Sequence, residues 1–425
     1  MHNLNVKLLL HLAALALVLG ACGTPAAPPT AAPPATTAAT EAAPTAGAAA
    51  TDPPTPLSAT GTAPPPAATT APALTSTPEP QAVNPLTGLP VAEPAVLDRR
   101  PIAIKVAHFP RSVRSFQVGL SQADNVWEHY AEGGTIRFTA VFLSQTPERV
   151  GNVRSARLID AYLGQAYQAM LVASGSSSGT MQRLRETDFY ERVIAEYTGY
   201  GGCPLLCREE SATVTSNKLF TSPPAVWDLA DSLGLGGAQD LGGFEFDQAP
   251  PPGGEPATTI HIDWLRNFTI TEWRYDAAAN TYGRWIDTDA TSASAGPNLA
   301  PHVDTANGQA LTASDVVALV VPHTASNIHE EEGGKVYYSY DIPLHGSGQA
   351  WLFRDGFRYE VTWRRDEAQG GLPRLVDASG SVIAYRPGVI WFDVLSDRSE
   401  ITFVDGVFTA WVRVPNPGPA PTATP

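Results

Sequence analysis

The sequence predicts an α+β protein in which a three-layer α/β domain is followed by a β-rich domain. In the first half of the chain, short apolar runs typical of buried strands alternate with segments of helical apolar spacing. In the second half the apolar residues alternate with a period of two, and Asp355-Gly356 marks a tight hairpin turn. A Gly/Pro-rich linker at residues 236–257 separates the two patterns.

Residues 84–235 form the first predicted domain. Segment 121–132 is ambiguous, because Ser121 and Asp124 suit the cap of a helix whereas the Gly133-Gly134 that follows suits a hairpin. The other elements follow from apolar runs and capping residues: strands at 102–106, 136–142 and 169–173, and helices after Ser155, near Thr180 and after Ser222.

Residues 258–414 form the second predicted domain, which consists mainly of strands. Its alternating or apolar segments are 268–275, 315–321, 336–340, 351–353, 357–363, 389–395 and 401–404. The last residues, 415–425, are rich in Pro and Thr and are predicted to be a disordered tail.

The first 21 residues have the features of a bacterial lipoprotein signal peptide. Lys7 is followed by an apolar run at 8–19, and Leu19-Gly20-Ala21-Cys22 resembles a lipobox. This resemblance implies cleavage before Cys22 and acylation of its thiol. We expect the lipid to anchor the protein at the outer face of the cytoplasmic membrane. An ordinary signal peptide with a chance cysteine is the alternative.

Residues 22–83 are predicted to be a disordered tether. They consist almost wholly of Ala, Pro and Thr, and Glu41, Asp52 and Glu79 are their only charged residues. Such a composition cannot bury a hydrophobic core, and its prolines favour extended conformations. The tether would hold the folded part away from the membrane.

The net charge of −15 argues against nucleic acid as a partner of this protein. A site for an anion must therefore be local. Arg154 and Arg157 are predicted at the start of a helix capped by Ser155, where free backbone N–H groups also favour an anion, and Arg137 is a third candidate. The alternative is that these arginines form structural ion pairs with nearby acids.

Three acidic residues, Asp124, Glu128 and Glu132, recur at every fourth position and are predicted to share one face. They could hold a divalent metal or supply a general base. No other cofactor is predicted. Cys203 and Cys207 are predicted to form a disulfide in a tight loop, with a metal site or a redox pair as alternatives.

A third type of chemistry is suggested by Gly175-Ser176-Ser177-Ser178-Gly179, which satisfies the Gly-x-Ser-x-Gly pattern of serine hydrolases. Ser177 would be the nucleophile, but no histidine follows it within the same predicted domain. The tryptophans of the second half are expected to pack in its core, because they lie in strand-like segments. Its histidines are expected at the surface or in turns: His302, His323, His329 and His345.

Several motifs resemble the YerB-type family of bacterial lipoproteins. They include Asn84-Pro85-Leu86-Thr87-Gly88-Leu89-Pro90, Gly119-Leu120-Ser121-Gln122-Ala123-Asp124, Gly151-Asn152-Val153-Arg154-Ser155-Ala156-Arg157, Phe353-Arg354-Asp355-Gly356 and Pro387-Gly388-Val389-Ile390-Trp391. The biochemical function of this family is unknown. The resemblance implies a surface lipoprotein with two paired domains and supplies no catalytic residues.

These observations favour a non-catalytic binding protein of the cell envelope, with a local anion-binding site, over an enzyme. Its expected partners are the membrane, through the lipid, and an anionic envelope polymer or another ligand that carries phosphate. The alternative is an enzyme that processes phosphoryl groups with the metal and arginine residues, and a serine hydrolase ranks last.

Overall fold

Among the residues that the structure describes, 41% lie in strands and 15% in helices. The structure is a computed structural model that describes residues 81–209, 218–264, 269–288, 298–332, 334–366 and 371–416. These residues belong to a single compact unit. In the described ranges, no helix has the length and apolar character needed to cross a membrane.

The described residues contain 23 strands, numbered here in chain order. In the first half they are β1 (Ile102–Ala107), β2 (Asn125–Tyr130), β3 (Ile136–Phe142), β4 (Val150–Gly151), β5 (Met170–Val172), β6 (Val193–Ile194), β7 (Cys207–Arg208) and β8 (Leu219–Thr221). In the second half they are β9 (Glu255–Pro256), β10 (Thr259–Asp263), β11 (Ile270–Asp276), β12 (Thr281–Asp287), β13 (Leu299–Pro301), β14 (Thr312–Ala313), β15 (Asp315–Val321), β16 (Thr324–Glu332), β17 (Lys335–Asp341), β18 (Gly346–Arg354), β19 (Phe357–Arg365), β20 (Arg374–Val376), β21 (Ile390–Ser396), β22 (Glu400–Val404) and β23 (Val407–Trp411).

The helices of the described residues are short. Three are α-helices: α1 (Ile159–Ala166), α2 (Ser178–Arg185) and α3 (Pro223–Ser232). The others are 3₁₀ helices of three to six residues, at Pro94–Asp98, Arg111–Phe116, Leu120–Gln122, Glu132–Gly134 and Tyr190–Arg192.

An eleven-stranded sheet, called the main sheet below, contains strands from both halves of the chain. Its order is β20-β19-β18-β15-β21-β2-β3-β1-β5-β6, and β9 also pairs with β19. The halves meet where β2 lies parallel to β21, with Glu128 opposite Asp393. Strands from both predicted domains therefore form one continuous hydrogen-bonded sheet.

A seven-stranded sheet, called the second sheet, is built from the second half of the chain. Its order is β13-β12-β11-β10-β23-β22, with β14 paired to β12. Two smaller units complete the described topology: the three-stranded sheet β4-β8-β7 and the hairpin β16-β17.

The two faces of the main sheet bury two hydrophobic cores. Side chains alternate along a strand, so Trp127 and Phe392 contribute to the core that includes α1. Their neighbours Val126 and Trp391 belong to the core that includes the second sheet. The expected core packing of tryptophans is confirmed at five positions with 5% exposure or less: Trp264, Trp273, Trp351, Trp363 and Trp391. It is wrong for Trp411, which is 40% exposed, and Trp285 is half-buried.

The prediction of a three-layer α/β domain in the first half is not confirmed. The α-helices of the described residues span only eight to ten residues. Strands β1, β2 and β3 pair antiparallel, and such pairs do not require the helical crossovers of a parallel sheet. Segment 121–132, which was ambiguous in the sequence, contributes strand β2. The chain returns into β3 through Gly133 and Gly134, whose φ angles of 68° and 76° suit glycine.

The prediction of a β-rich second half is confirmed. The Asp355-Gly356 turn joins β18 to β19 as expected, and both residues have positive φ angles of 55° and 79°. Part of the predicted linker pairs with the main sheet, because β9 lies antiparallel to the start of β19.

A buried polar cluster joins the main sheet to the second sheet. Arg284 Nη2 donates hydrogen bonds to both carboxylate oxygens of Glu128, at 2.8 and 2.7 Å, and to Thr271 at 2.9 Å. Asp393, beside Glu128, accepts a hydrogen bond from Trp273 Nε1 at 3.1 Å. Burial and the adjacent charge of Glu128 raise the pKa of Asp393 well above its ordinary value. Because the two buried carboxyl groups lie side by side and Arg284 pairs with Glu128, we expect Asp393 to be the one that carries a proton.

Removing the charge of Glu128 should cost far more stability than removing the carboxyl group of Asp393. Glu128→Gln leaves the buried guanidinium of Arg284 without a carboxylate, and we expect the free energy of unfolding to fall by about 3 kcal/mol. Asp393→Asn replaces a neutral acid with an amide of similar size, and we expect a loss of less than about 1 kcal/mol. Unfolding in guanidinium chloride at neutral pH measures both, and equal losses would contradict the protonation assigned to Asp393.

Candidate functional site

The segment that carries Arg154 and Arg157 is extended, and α1 begins at Ile159, later than the sequence predicts. Ser155 is therefore not the cap of this helix, which corrects the expected position of the two arginines. The backbone N–H of Arg154 donates to the carbonyl of Lys105 at 3.0 Å. Such hydrogen bonds to a neighbouring strand compete with helix formation, and local capping signals in the sequence do not reveal them.

The side chains of Arg137 and Arg157 converge on Glu132. Arg157 forms an ion pair with Glu132 and donates to the carbonyl of Ala156 at 2.7 Å. Arg137 donates to the carbonyl of Ser155 at 2.8 Å, and its Nη2 lies 3.8 Å from Glu132 Oε1. The three charged residues are only 6–9% exposed. This geometry favours the ion-pair alternative for Arg137 and Arg157 over an open anion site.

Arg154 has a different environment, because its side chain is half-buried. Burial and the charge of Arg208 lower the pKa of Arg154. Arg154 is also close enough to Arg137 that its charge adds to the burial that lowers the pKa of Arg137 to about 9. The structure therefore brings the three predicted arginines into one neighbourhood but pairs two of them internally.

A buried network beside these arginines was not foreseen from the sequence. Lys105 Nζ donates to Asp160 Oδ1 and Thr139 Oγ1, both at 2.9 Å, and contacts His129 Nε2. All four residues have 0% exposure. Burial lowers the pKa of Lys105 to about 7 and that of His129 well below its ordinary value. The available signal was a lysine inside the apolar run Ile102–Ala107, since a lysine is almost never buried without a partner.

The three predicted acidic residues do not form a common site. Asp124 binds Asn84 and Ser144, Glu128 binds Arg284 between the two sheets, and Glu132 binds the arginines described above. The expectation of a shared acidic site is therefore corrected. Residues four apart are about 13 Å apart along an extended strand such as β2, and the chain then leaves the strand at Glu132–Gly134. In the part of the chain that the structure describes, no group of three or more His, Cys, Asp or Glu residues is arranged to hold a metal.

The other predicted site residues have structural contacts. Ser177 caps α2, because its Oγ accepts a hydrogen bond from the Thr180 N–H at 3.3 Å and donates one to Thr180 Oγ1 at 3.0 Å. Cys203 and Cys207 are joined by a disulfide. Cys22, the predicted lipidation site, lies outside the described residues, as do the signal peptide and nearly all of the tether.

The histidine prediction is wrong for two of its four residues. His302 and His323 are each 2% exposed. His302 Nε2 contacts Gln117 Oε1 at 2.7 Å, and its Nδ1 contacts Arg284 Nη1 at 2.6 Å. His302 therefore extends the cluster that joins the two sheets. The remaining two, His329 and His345, are exposed as expected.

A cleft of about 590 Å³ opens beside the end of the main sheet where β2 begins. We call it the motif cleft, because residues 84–90 and 121–124 of its lining belong to the segments that carry the resemblance stated above. Its volume lies within the range of small-molecule sites in proteins. The complete lining is Asn84, Thr87, Leu89, Pro90, Val91, Ala92, Glu93, Val96, Ser121, Gln122, Ala123, Asp124, Ser144, Gln145, Thr146 and Val389.

Asp124 organises the floor of the motif cleft. Its carboxylate accepts hydrogen bonds from Asn84 Nδ2 at 2.6 Å, from the Leu143 N–H at 2.6 Å, and from the N–H and Oγ of Ser144 at 3.1 and 2.5 Å. Burial raises the pKa of Asp124 even though these hydrogen bonds favour its ionised form. Asp124 thus ties three separate segments together and has little capacity left for a ligand.

Comparison with known proteins agrees with this architecture. The family described as "Protein of unknown function (DUF3048) N-terminal domain" matches residues 86–236. The family described as the corresponding C-terminal domain matches residues 260–392. The chain is 28% identical over 327 residues to "Putative lipoprotein YerB" of Bacillus subtilis (strain 168), covering 76% of this chain and 88% of that protein. It also resembles the crystal structure of the YerB protein from Bacillus subtilis, with a TM-score of 0.60 and 26% identity, over 74% of this chain and 97% of that one.

The fold defines a β-rich protein in which both halves of the chain contribute strands to one sheet, with a cleft beside one end of that sheet. Within that class the identification is specific. The chain belongs to the YerB-type family, whose members carry the two paired domains of unknown function. The resemblance inferred from the sequence motifs is confirmed.

The buried Lys105–Asp160 pair makes stability depend on pH. Lysine in the unfolded chain has a pKa of about 10.4, whereas burial lowers that of Lys105 to about 7 in the folded protein. Between these values the unfolded state binds more protons. The free energy of unfolding should therefore rise with pH relative to the variant Lys105→Met/Asp160→Asn, by on the order of a few kcal/mol.

Urea unfolding of both proteins from about pH 7 to about pH 10 measures this difference. Asp160 remains ionised throughout that range, so it adds no slope of its own. The double variant removes both charges. Tyrosines titrate in both proteins, so their effect cancels in the difference between the two free energies of unfolding. A stability difference that stays constant over the range would contradict the low pKa of Lys105.

Proposed function

We propose that this protein is a lipid-anchored binding protein of the cell envelope and that its ligand occupies the motif cleft. The observation that supports the proposal is the coincidence of an open cleft of about 590 Å³ with the segments 84–90 and 121–124, which carry the family resemblance. Asp124 fixes these segments to one another and to the end of β3. A cleft whose walls are held in place binds a ligand without first having to order them.

The polar groups of the motif cleft indicate the ligand class. The side chains of Glu93, Gln122 and Gln145 form no hydrogen bond with another described residue, so their polar atoms are available. Arg99, near the cleft, uses its guanidinium on Leu143, Gln145 and Thr146. Amide and carboxylate groups without a free cation suit a neutral or positively charged ligand with hydroxyl, amide or amino groups, as in a glycan–peptide.

Binding is favoured over the two enzymatic alternatives. A phosphoryl-processing site needs cations that can reach the substrate, whereas Arg137 and Arg157 are engaged with Glu132. A serine nucleophile needs a neighbouring base, whereas the Ser177 hydroxyl is engaged with Thr180. The local anion site that the sequence predicts would therefore have to use arginines other than Arg137 and Arg157.

The cellular address proposed here rests on the sequence and on the relative. Cys22 follows a lipobox-like sequence, and residues 22–83 have the composition of a tether. The similar Bacillus subtilis protein is itself described as a lipoprotein. We infer that acylated Cys22 holds the protein at the outer face of the cytoplasmic membrane, with the folded part carried at a distance from it.

Filling the motif cleft should weaken ligand binding. Ala92 is an exposed residue of the cleft lining, so Ala92→Trp should fill the cleft without disturbing the core. We expect this variant to bind soluble disaccharide–peptide fragments of purified cell wall, with their carboxyl groups converted to amides, about tenfold more weakly than the wild type. Isothermal titration calorimetry measures the affinity. Ala278→Trp, in an exposed turn, is the matched control. Equal affinity of the two variants, or no binding by the wild type, would contradict the proposal.

Removing the thiol of Cys22 should release the protein from the membrane. Cys22→Ala eliminates the acylation site. The apolar segment of the signal peptide is still present in this variant, but it does not replace the lipid anchor. Metabolic labelling with a fatty-acid analogue and membrane fractionation report the change. Cys203→Ala/Cys207→Ala, which removes the disulfide instead, is the control and should keep its label. Labelling that persists in Cys22→Ala would show that another residue carries the lipid.

A further inference from the structure

Two arginines of the main sheet lie opposite each other and form no ion pair with any residue that the structure describes. Arg364 of β19 and Arg374 of β20 are directly opposite in the antiparallel register, so their side chains lie on the same face. Both are exposed. Among the described residues, neither guanidinium forms an ion pair or a hydrogen bond. Like charges in this cross-strand position are destabilising, so the pair calls for an explanation.

These arginines line a pocket of about 500 Å³, which we call the arginine pocket. Gln168 and Asp240 also line it, and Asp366 is a second acid there. Asp240 Oδ1 accepts a hydrogen bond from the Gly242 N–H at 3.1 Å, so part of its charge is already engaged. The pocket thus contains two exposed cations in a protein whose net charge is −15.

The walls of the arginine pocket are held by buried contacts. Arg365, which follows Arg364 and also lines the pocket, is 3% exposed. It donates to the carbonyls of Gly371 and Leu344, both at 2.9 Å. The Leu372 N–H donates to the carbonyl of Gly242 at 3.1 Å. Arg364 and Arg374 are therefore presented from a fixed sheet and not from a loose surface loop.

We propose that Arg364 and Arg374 bind a phosphate group of an anionic envelope polymer. An anion between two guanidinium groups removes their mutual repulsion and accepts charge-assisted hydrogen bonds from both. Two other arginines already have carboxylate partners inside the protein: Arg157 pairs with Glu132, and Arg284 pairs with Glu128 between the main sheet and the second sheet. The unpaired arginines thus mark a local anion site on an otherwise acidic surface.

The arginine pocket is separate from the motif cleft, because no residue lines both. Failure of one proposal therefore leaves the other standing. The two sites also differ in the charges they offer, because the motif cleft presents amides and a carboxylate, whereas the arginine pocket presents Arg364 and Arg374 beside two acids. One protein could in this way hold a glycan–peptide and a phosphate-bearing chain together.

Binding of short-chain inorganic polyphosphate to the purified full-length protein tests the arginine pocket. Calorimetry at low ionic strength compares the wild type with Arg364→Gln/Arg374→Gln, and we expect the double variant to bind at least about tenfold more weakly, since hydrogen bonds to charged groups are lost. Arg413→Gln removes the same type of charge from a residue that is paired with Glu400 outside the pocket, and it should change the affinity less than about twofold.

Stability provides a second measurement on the same variants. Because the variant removes a repulsion, its melting temperature without anion should equal or exceed that of the wild type, whereas loss of a structural contact would lower it. Equal polyphosphate affinities of the wild type and the double variant, or no binding by the wild type, would overturn the proposal. Orthophosphate serves as the free-ion arm: tighter binding of polyphosphate supports a polymer ligand, and equally tight binding of orthophosphate overturns that assignment.

Discussion

The parallel pairing of β2 with β21 is the contact on which the architecture depends. It joins the strands of the first half to those of the second, so that both contribute to one sheet and to the core on each of its faces. The same register places Glu128 beside Asp393 and within reach of Arg284 from the second sheet. A single strand pair therefore determines the continuity of the main sheet, the docking of the second sheet and the environment of a buried carboxyl pair.

Charge in this molecule is divided between closed internal pairs and open surfaces. Lys105, Arg157 and Arg284 are almost fully buried, and each has a carboxylate partner, which is the arrangement that makes a buried cation tolerable. The cavities discussed above contain polar groups that remain available instead. This division explains why the charged residues that stand out in the sequence are mostly structural, while the open sites lie elsewhere.

Much of the fold could be predicted from the sequence. Alternation identified the strands of the second half, and the Asp355-Gly356 turn placed the hairpin of β18 and β19 correctly. Local patterns failed where long-range pairing decides the conformation. Ser155 is a good cap in isolation, but the strand containing Lys105 holds the neighbouring backbone extended, and the layering of the first half could not be inferred because β2 and β21 are far apart in sequence.

The candidate site was harder to predict from the sequence than the fold. The sequence suggested that Arg137, Arg154 and Arg157 are neighbours, but no local pattern in it indicates that Arg137 and Arg157 both pair with Glu132. A spacing of four does not bring the acids together, because residues four apart lie about 13 Å apart along an extended strand, and the chain then leaves the strand at Glu132–Gly134. The pairing of Arg364 with Arg374 depends on the register of β20, which no local pattern specifies.

The position of β21 has a consequence for how the chain reaches its native state. One side of β2 is satisfied by β3, a close neighbour in sequence, but its other side stays an open edge until Ile390–Ser396 arrives. Contacts of such high sequence separation form slowly, because a long loop must close first. A chain that is synthesised or exported N-terminus first therefore cannot complete the main sheet until residues 390–396 are free to fold. A product that stops before β21 would expose an unpaired strand able to join two copies edge to edge.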